Sequence, residues 1–228
     1  MLNVVLITMN EGINMINFTD FYNKMGPHYD RWMETGESTL EDELNLVLET
    51  FPNPCRILDV GCGTGRISIP LQERGYFVVG ADISEEMIKV AKEKDLREAY
   101  TGNFLDFEYQ QEFFNGIISL HAGFSYTNDD NSIRLMIRKC HGLLVRDGRV
   151  LWDSPNEDFY GRERVLKWPA GDEIVETICY GHSISNLKEL FNKEGFEVGK
   201  TWGSYSPLRL YEAGLPRLII DAQKMNKC

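Results

Sequence analysis

Three glycines at alternate positions follow a short apolar segment that contains one acidic residue. The stretch "RILDVGCGTGRIS" places Asp59 before Gly61, Gly63 and Gly65. Glycine adopts positive φ angles readily and lets a ligand approach the backbone closely. The residues before the glycines are typical of a buried strand, and those after them have helix-like spacing. The loop therefore predicts a ligand-binding turn, with a tight turn that binds nothing as the alternative.

A second acidic residue favours the ligand-binding interpretation. Asp82 ends the apolar segment "VVGAD", about twenty residues beyond the glycine loop, which is the spacing of an acid that binds a ribose diol. A carboxylate at that place can accept hydrogen bonds from two hydroxyl groups, and charged acceptors form the stronger bonds. Ser84 follows as a candidate N-cap of the next helix. The third glycine comes one residue too early for the G-x-G-x-x-G pattern, which disfavours a nicotinamide dinucleotide.

The elements that must position these residues alternate between strand and helix. The patterns predict helices at 65–74, 84–94, 130–145 and 183–195, and strands at 56–60, 76–81, 98–101, 116–120, 148–152, 196–202 and 216–224. Alternation of this kind produces right-handed βαβ units and a parallel, doubly wound sheet. The last two strands follow each other with only a loop between them, so we expect them to pair antiparallel.

Two segments lie outside this alternation. Residues 18–50 are predicted to be helical, with Ser38 and Glu41 as a capping box, and we expect residues 1–50 to form a helical cap over the main domain, 51–228. The first residues, 1–14, are expected to be a loose tail or an over-extended start. Residues 155–182 break the rhythm and are expected to form a short substrate or lid insertion, with a hairpin within it.

Composition restricts the class of protein. The 228 residues are 43% hydrophobic and carry a net charge of −11, which disfavours nucleic acid and anionic membranes as partners. The five cysteines are scattered and show no disulfide or metal-ligand spacing, so the cytoplasm is the expected compartment and no metal is expected. The apolar start has no basic region and is too short to span a bilayer.

Four motifs together carry a resemblance to a known family. The segments "ILDVGCGTGRISIPL", "GYFVVGADISEEMI", "FNGIISLHAGFSY" and "LLVRDGRVLWDSPN" resemble, in order and spacing, the class I S-adenosylmethionine-dependent methyltransferases. The resemblance covers roughly residues 56–155. It implies a Rossmann-like, doubly wound α/β fold with seven strands, mostly parallel with an antiparallel last strand. It also implies S-adenosyl-L-methionine as cofactor and S-adenosyl-L-homocysteine as product.

The resemblance assigns residues to the methionyl part of the cofactor. The three glycines would let that part pass close to the backbone, and Asp59 would help to place its amino group. Leu120, at the end of the fourth strand, would lie near the methionyl chain. Tyr29, in a "YD" pair of the N-terminal segment, would cover the cofactor.

The nucleoside part is assigned in the same way. The resemblance implies that Asp82 holds the ribose hydroxyls and that Ile83 lies against the adenine. Asn103 and Phe104 would contact the adenine edge. Asn103 stands where the family often has Asp, and because an amide both donates and accepts, adenine recognition is expected to survive this difference.

The candidates for catalysis are few. His121 lies next to the expected cofactor site and is our first candidate for a general base, with Tyr22 as a second active-site candidate. A packed, purely structural histidine is the alternative for His121. His182 and His28 are weaker candidates.

The expected function is methyl transfer to an oxygen or nitrogen of a small molecule by in-line displacement. One alternative is RNA or protein as the acceptor, for which "RERVLK" (162–167) is a modest basic candidate. A second alternative is a non-catalytic subunit that only binds S-adenosylmethionine. A nicotinamide oxidoreductase is disfavoured by the glycine spacing. The fold alone does not identify the acceptor, because one fold supports many reactions.

Overall fold

A computed structural model describes residues 15–34, 38–121, 123–170, 173–212 and 214–225. The strands are β1 (Arg56–Val60), β2 (Phe77–Asp82), β3 (Glu98–Thr101), β4 (Phe114–Ser119), β5 (Leu144–Pro155), β6 (Glu163–Ala170), β7 (Glu173–Tyr180), β8 (Phe196–Ser204), β9 (Arg209–Leu210) and β10 (Arg217–Lys224). The helices are α1 (Phe18–Met25), α2 (Tyr29–Met33), α3 (Leu40–Thr50), α4 (Ser68–Glu73), α5 (Glu85–Glu93), α6 (Asp130–Leu143), α7 (Glu157–Tyr160) and α8 (Ile184–Lys193).

The main sheet confirms the predicted doubly wound class. Its order is β3-β2-β1-β4-β5-β10-β8-β9, and the strands from β3 to β5 run parallel. The strand β10 runs against both of its neighbours, β5 and β8, as the antiparallel pairing of the last two long strands predicts. The sheet has eight strands and not the predicted seven. The additional strand is the two-residue β9, which pairs with the end of β8 and is too short to show a period in the sequence.

Two predicted helix boundaries are wrong, and each error has a local cause. The helix predicted at 65–74 begins only at Ser68, because the glycine turn extends through the residues before it. The helix predicted at 130–145 ends at Leu143, and the chain enters β5 directly at Leu144. The strand β5 then continues to Pro155, beyond the predicted end, because its whole second half pairs with β10.

The predicted capping box is displaced by one residue. The N-cap of α3 is Thr39, whose hydroxyl accepts a hydrogen bond from the Asp42 backbone while the Asp42 carboxylate accepts one from the Thr39 backbone. The expected pair, Ser38 and Glu41, does not form it. The Ser38 hydroxyl donates instead to the carboxylate of Glu43, which is fully buried.

Alternate residues of the central strands face two separate cores, as the period of a strand requires. On one face, Leu58 of β1 packs in a cluster with α6 and α8, where the buried Trp152 ring lies 4.2 Å from the Phe124 ring. On the other face, Ile57 packs with α3 and α4, including Val47 and Leu71. The helix α3 is therefore part of the packing of the sheet itself.

The N-terminal helices and the β6–β7 hairpin form one unit above the carboxyl end of the parallel strands. The two strands of the hairpin pair antiparallel along their length, and the Ile16 backbone N–H donates to the Glu176 carbonyl at 3.1 Å. The Trp32 and Trp168 rings lie 3.6 Å apart between centroids. We call this unit the aromatic cap; it comprises residues 15–34, 163–170 and 173–180. None of the described helices is long and apolar enough to cross a bilayer.

The tight contact between β4 and α3 generates a prediction about stability. A Cβ atom at Gly116 would lie 2.5 Å from ring atoms of Phe51 and 2.7 Å from Ile57, so Gly116→Ala overpacks the core. We expect it to lower the free energy of unfolding by about 1–3 kcal/mol. Gly199→Ala in β8 is the matched control, because the atom nearest to the added carbon would lie 3.5 Å away, an ordinary contact distance. Denaturant unfolding of both variants measures the difference, and equal stabilities would contradict the packing described here.

Candidate functional site

Two loops meet at the carboxyl end of the parallel strands. A Cβ at Gly61 would lie 2.9 Å from the Gly123 Cα, and a Cβ at Gly123 would lie 2.7 Å from the Val60 carbonyl. The Gly61 and Cys62 N–H groups donate to the Ala81 carbonyl at 2.7 and 3.2 Å, which joins the turn to the end of β2. With φ near +75°, Gly61 also has a backbone conformation that favours glycine. The turn after β1 is thus fixed from two sides.

The Asp82 carboxylate is held in place by backbone groups of the same region. One oxygen accepts from the Gly63 N–H at 2.9 Å and the other from the Ser84 N–H at 2.9 Å. Burial raises the pKa of Asp82, while these backbone hydrogen bonds oppose the rise. Because each carboxylate oxygen can accept a further hydrogen bond, Asp82 keeps acceptor capacity for a ligand.

A cleft of about 680 Å³, counting its open mouth, lies above these groups. The lining residues come from the cap, from the turn after β1, from the end of β2 and its following helix, and from the segments after β3 and β4. They are Phe18, Tyr22, Tyr29, Val60, Gly61, Gly63, Ala81, Asp82, Ile83, Met87, Gly102, Asn103, Phe104, Leu120, His121, Gly123, Phe124 and Tyr126.

Most residues that the sequence predicts for the site come together in this lining. They are Tyr22, Tyr29, Gly61, Gly63, Asp82, Ile83, Asn103, Phe104, Leu120 and His121. The predicted Gly65 is not among the lining residues. Gly65 has a φ near +80°, a conformation that favours glycine, and a Cβ there would lie 2.8 Å from the Ile69 side chain at the start of the following helix. The roles assigned to these residues toward a cofactor remain predictions.

Asp59 also lies outside the lining and is 3% exposed. Its carboxylate accepts a hydrogen bond from the Ser68 hydroxyl at 2.6 Å. Burial raises the pKa of Asp59 to about 7, against the lowering effect of the Ser68 hydrogen bond, and the negative charge of Asp82 raises it further. Asp59 therefore changes its charge near neutral pH beneath the floor of the cleft.

Tyrosine side chains of the cap form one wall of the cleft. The Tyr29 ring lies over the glycine turn, since a Cβ at Gly63 would lie 3.7 Å from its Cε1 atom. The Tyr22 ring follows, with its centroid 6.3 Å from that of Tyr29. Among the described residues, neither hydroxyl has a protein hydrogen-bond partner. Burial raises the pKa of Tyr22, and it raises that of Tyr29 to about 12, so both hydroxyls keep their protons at neutral pH.

Hydrogen bonds connect the cap to the turn on which a ligand would lie. Asp30 accepts from the buried Thr64 hydroxyl, inside the glycine turn, and from Lys94 at 2.7 Å. The Ser84 hydroxyl, which also caps α5, donates to the Asn23 side chain at 2.7 Å. The position of the cap therefore depends on the same two segments that carry Gly63 and Asp82.

His121 lies in a network of buried charges. Its backbone has a positive φ of 52°, and its ring Nε2 lies 2.8 Å from a Glu43 carboxylate oxygen and 3.1 Å from Arg66. The ring stacks on Tyr205 with centroids 5.4 Å apart. Burial lowers the pKa of His121 to about 3, and the nearby Arg217 and Arg66 guanidinium groups lower it as well. The imidazole is thus neutral and a weak base at neutral pH.

Asp153 of β5 holds this network together. Its buried carboxylate accepts from the His121 backbone N–H at 2.7 Å, from the Tyr205 hydroxyl at 2.8 Å, and from two nitrogens of Arg217. On the other side of His121, Glu43 accepts from Arg66 and Ser38. Each carboxylate is thus surrounded by donors, which is what a buried charge requires.

The other histidines lie elsewhere. His28 is exposed in the cap, and His182 is buried with its Nε2 atom 3.0 Å from the Thr127 carbonyl. Neither lines the cleft.

Sequence reasoning did not identify Glu43, Asp153 or Gly123. Asp153 is a charged residue inside the apolar strand pattern "GRVLWDSP", which could have marked it as special. Gly123 follows the fourth strand in "HAGFSY", where a glycine after a buried strand is a comparable signal. Glu43 has no such signal, because an acid in the first turn of a helix is usual.

The comparisons with known proteins agree with this architecture. A family model described as a methyltransferase domain matches residues 57–148. The chain is 32% identical over 145 residues to a protein of Geobacillus sp. (strain WCH70) whose name proposes a methyltransferase; the match covers 59% of this chain and 57% of that protein. The chain thus spans little more than half the length of curated relatives that it matches.

Two solved structures share the fold. The CcbJ methyltransferase from Streptomyces caelestis has a TM-score of 0.76 at 15% identity, with 90% of this chain and 98% of that chain covered. An S-adenosylmethionine-dependent methyltransferase from Clostridium acetobutylicum ATCC 824 has a TM-score of 0.76 at 13% identity, with 90% and 100% covered. The predicted resemblance of the fold to this class is thereby confirmed.

The buried Asp59 generates a prediction about pH. Its pKa is higher in the folded than in the unfolded chain, so the folded state binds more protons between about pH 4 and pH 7, and stability falls as pH rises through that interval. Asp59→Asn removes this titration. We expect the variant to gain stability relative to the parent protein from pH 4 to pH 7, and the difference to level off above.

Denaturant unfolding at several pH values measures this difference. Ser68→Ala serves as a second variant: it removes the hydrogen bond that lowers the Asp59 pKa, so the fall in stability should extend to higher pH. Parallel pH profiles for the parent protein and Asp59→Asn would show that Asp59 does not titrate in this range.

Proposed function

We propose that this chain is a class I S-adenosylmethionine-dependent methyltransferase and that it transfers the methyl group of S-adenosylmethionine to an oxygen or nitrogen atom of a small molecule. The observation that carries the proposal is the fixed Asp82 carboxylate at the edge of the cleft, hydrogen-bonded to the Gly63 N–H. The Asp82 carboxylate can still accept hydrogen bonds from a ligand, and the glycine turn lies next to it. We further propose the cytoplasm as its location, consistent with the free thiols of the described cysteines.

The nucleoside would lie at the end of the cleft formed by β2 and the segment after β3. Asp82 would accept hydrogen bonds from the ribose hydroxyls, with Ile83 and Phe104 on the faces of the adenine. The Asn103 side chain accepts from the Leu105 backbone at 2.9 Å, which leaves its amide N–H₂ group available to the adenine edge. Together these residues could bind a flat base that has polar groups at its edge and a diol next to it.

The methionyl part would pass over the turn after β1, beneath Tyr29. The cofactor supplies an electrophilic methyl group on a sulfonium, and the negative charge of Asp82 favours such a cation. The contribution of the protein is to hold the acceptor in line with this methyl group and to exclude water, which can supply much of the rate. The aromatic cap covers the cleft from above and suits this purpose.

A small acceptor is favoured by the size and charge of the site. The same cleft must hold the cofactor, and the described part of the segment between β5 and α8 adds only α7 and the β6–β7 hairpin. A net charge of −11 opposes binding of a nucleic acid backbone. We propose that Tyr22 donates a hydrogen bond to the acceptor and that the neutral His121 shapes the site next to it.

The proposal predicts that Asp82→Ala strongly weakens cofactor binding. We expect the parent protein to bind S-adenosylmethionine and S-adenosylhomocysteine but not NADH in titration calorimetry. Loss of two charge-assisted hydrogen bonds should weaken binding of both sulfur nucleosides by about a hundredfold or more. Glu85→Ala is the matched control, because it removes a neighbouring exposed charge that does not line the cleft.

Circular dichroism and thermal unfolding establish that each variant is folded. A folded parent protein that binds neither sulfur nucleoside would contradict the proposed function. Equal weakening by Asp82→Ala and Glu85→Ala would show that the charge of the region matters but not the Asp82 contact.

A further inference from the structure

The aromatic wall continues beyond the part of the cleft assigned to the cofactor. From Tyr29 above the glycine turn, the row proceeds to Tyr22, then to Phe18 at 4.7 Å between centroids, then to Tyr126 at 6.0 Å. The buried Phe124 ring also lines the cleft. We call the part of the cleft lined by Phe18, Tyr22, Phe124 and Tyr126 the acceptor end.

The carboxylates near the acceptor end are already occupied. Asp153 accepts four hydrogen bonds, and Glu43 accepts from Arg66 and Ser38 and contacts the His121 ring. A carboxylate that is fully engaged in this way is a poor proton acceptor, because protonation would break the pair that keeps it buried. The His121 ring has its Nε2 atom between Glu43 and Arg66 and is not directed freely at a substrate.

The described residues at the acceptor end also provide no positive charge that could neutralise an anionic substrate. Among the described residues that line the cleft, none is a lysine or an arginine. The two nearby guanidinium groups, of Arg66 and Arg217, are bound to Glu43 and Asp153. Faces of aromatic rings attract cations, by about 0.5–2 kcal/mol for each favourable contact.

From these contacts we propose that the acceptor atom is a nitrogen that carries a free lone pair at neutral pH, in a weakly basic amine or a flat nitrogen heterocycle, and that the methylated product is a cation held by the aromatic rings of the acceptor end. This inference rests on the proposed function. A phenol or alcohol must lose a proton, and a carboxylate needs a positive partner; a neutral nitrogen needs neither. The Tyr22 hydroxyl is the polar group available to orient it.

The reaction balances without a base. The nitrogen lone pair forms the new C–N bond, the C–S bond breaks, and its electron pair goes to sulfur, which becomes a neutral thioether. The positive charge passes from sulfur to nitrogen. If the nitrogen carries a hydrogen, that proton leaves afterwards to water, because the methylated nitrogen is then an ordinary ammonium acid.

A matched set of bicyclic probes tests the proposal. The whole chain, saturated with S-adenosylhomocysteine, is titrated with N-methylisoquinolinium, isoquinoline, 2-naphthol and 2-naphthoate, which share size and flatness and differ in charge and acceptor atom. We expect N-methylisoquinolinium to bind about fivefold or more tightly than 2-naphthoate and 2-naphthol. With S-adenosylmethionine in place of the product, isoquinoline should yield the N-methylated cation by mass spectrometry and the oxygen probes should yield no methyl ether or ester.

Variants assign the preference to the acceptor end. Phe18→Leu and Tyr22→Leu should reduce the preference for the cation to about twofold or less and leave binding of S-adenosylhomocysteine within about twofold. Phe159→Leu is the matched control, because this aromatic side chain is 51% exposed and does not line the cleft. It should leave both measurements unchanged.

The outcomes separate this inference from the proposed function. Binding of 2-naphthol or 2-naphthoate as tight as that of the cation, or binding of none of the probes to the S-adenosylhomocysteine complex, would overturn the nitrogen acceptor and leave the methyltransferase proposal intact. A preference for the cation that survives both leucine variants would also overturn it. Failure of S-adenosylhomocysteine to bind at all contradicts the proposed function itself.

Discussion

The close approach of two backbone segments, at Gly61 and Gly123, is the constraint on which the site depends. The turns after β1 and β4 cross where a Cβ on either glycine would lie within 3 Å of backbone atoms. Adjacent parallel strands bring their carboxyl ends to one edge, but only residues without side chains let the following turns touch. This contact sets the floor of the cleft and brings Leu120 and His121 beside the glycine turn.

Buried charged groups hold the turn after β4 in place. Asp153 accepts from the His121 backbone and binds Arg217, so the turn after β4 is tied to both β5 and β10. Glu43 of α3 reaches the ring of the same histidine. A buried ion pair contributes little net stability on its own, but removal of one partner leaves an uncompensated charge. Loss of Asp153 or Arg217 would therefore leave a buried charge without its partner next to the turn after β4.

The sequence predicts the fold and the cleft well where a local pattern encodes them. The glycines, Asp82 and the alternation of strands and helices are local, so β1, β2 and the turn between them follow from the sequence alone. The number of strands was wrong by one, because β9 is a two-residue strand that exists only through pairing with β8. The capping box was wrong by one residue, because Ser38 has a buried partner, Glu43, that no local pattern reveals.

Contacts between distant residues explain what the sequence could not predict in the site. Arg217 and Asp153 are 64 positions apart, and His121 and Glu43 belong to different elements, so their pairing appears only when the sheet and α3 are assembled. Gly65 is an example of the opposite kind. Its position in the sequence matches a ligand-binding pattern, but in the fold it contacts Ile69 and does not line the cleft.

The aromatic cap contacts both the turns that carry the site and the space above them. Its position depends on Asp30 and Asn23, which bond to Thr64 in the glycine turn and to Ser84 beside Asp82. Its rings form the wall that extends from the proposed cofactor site to the acceptor end. The cap thus contacts the glycine turn through Asp30 and Tyr29, and it shapes the acceptor end through Phe18 and Tyr22. Different side chains of one unit therefore face the two ends of the cleft, so a substitution at one end need not disturb the other.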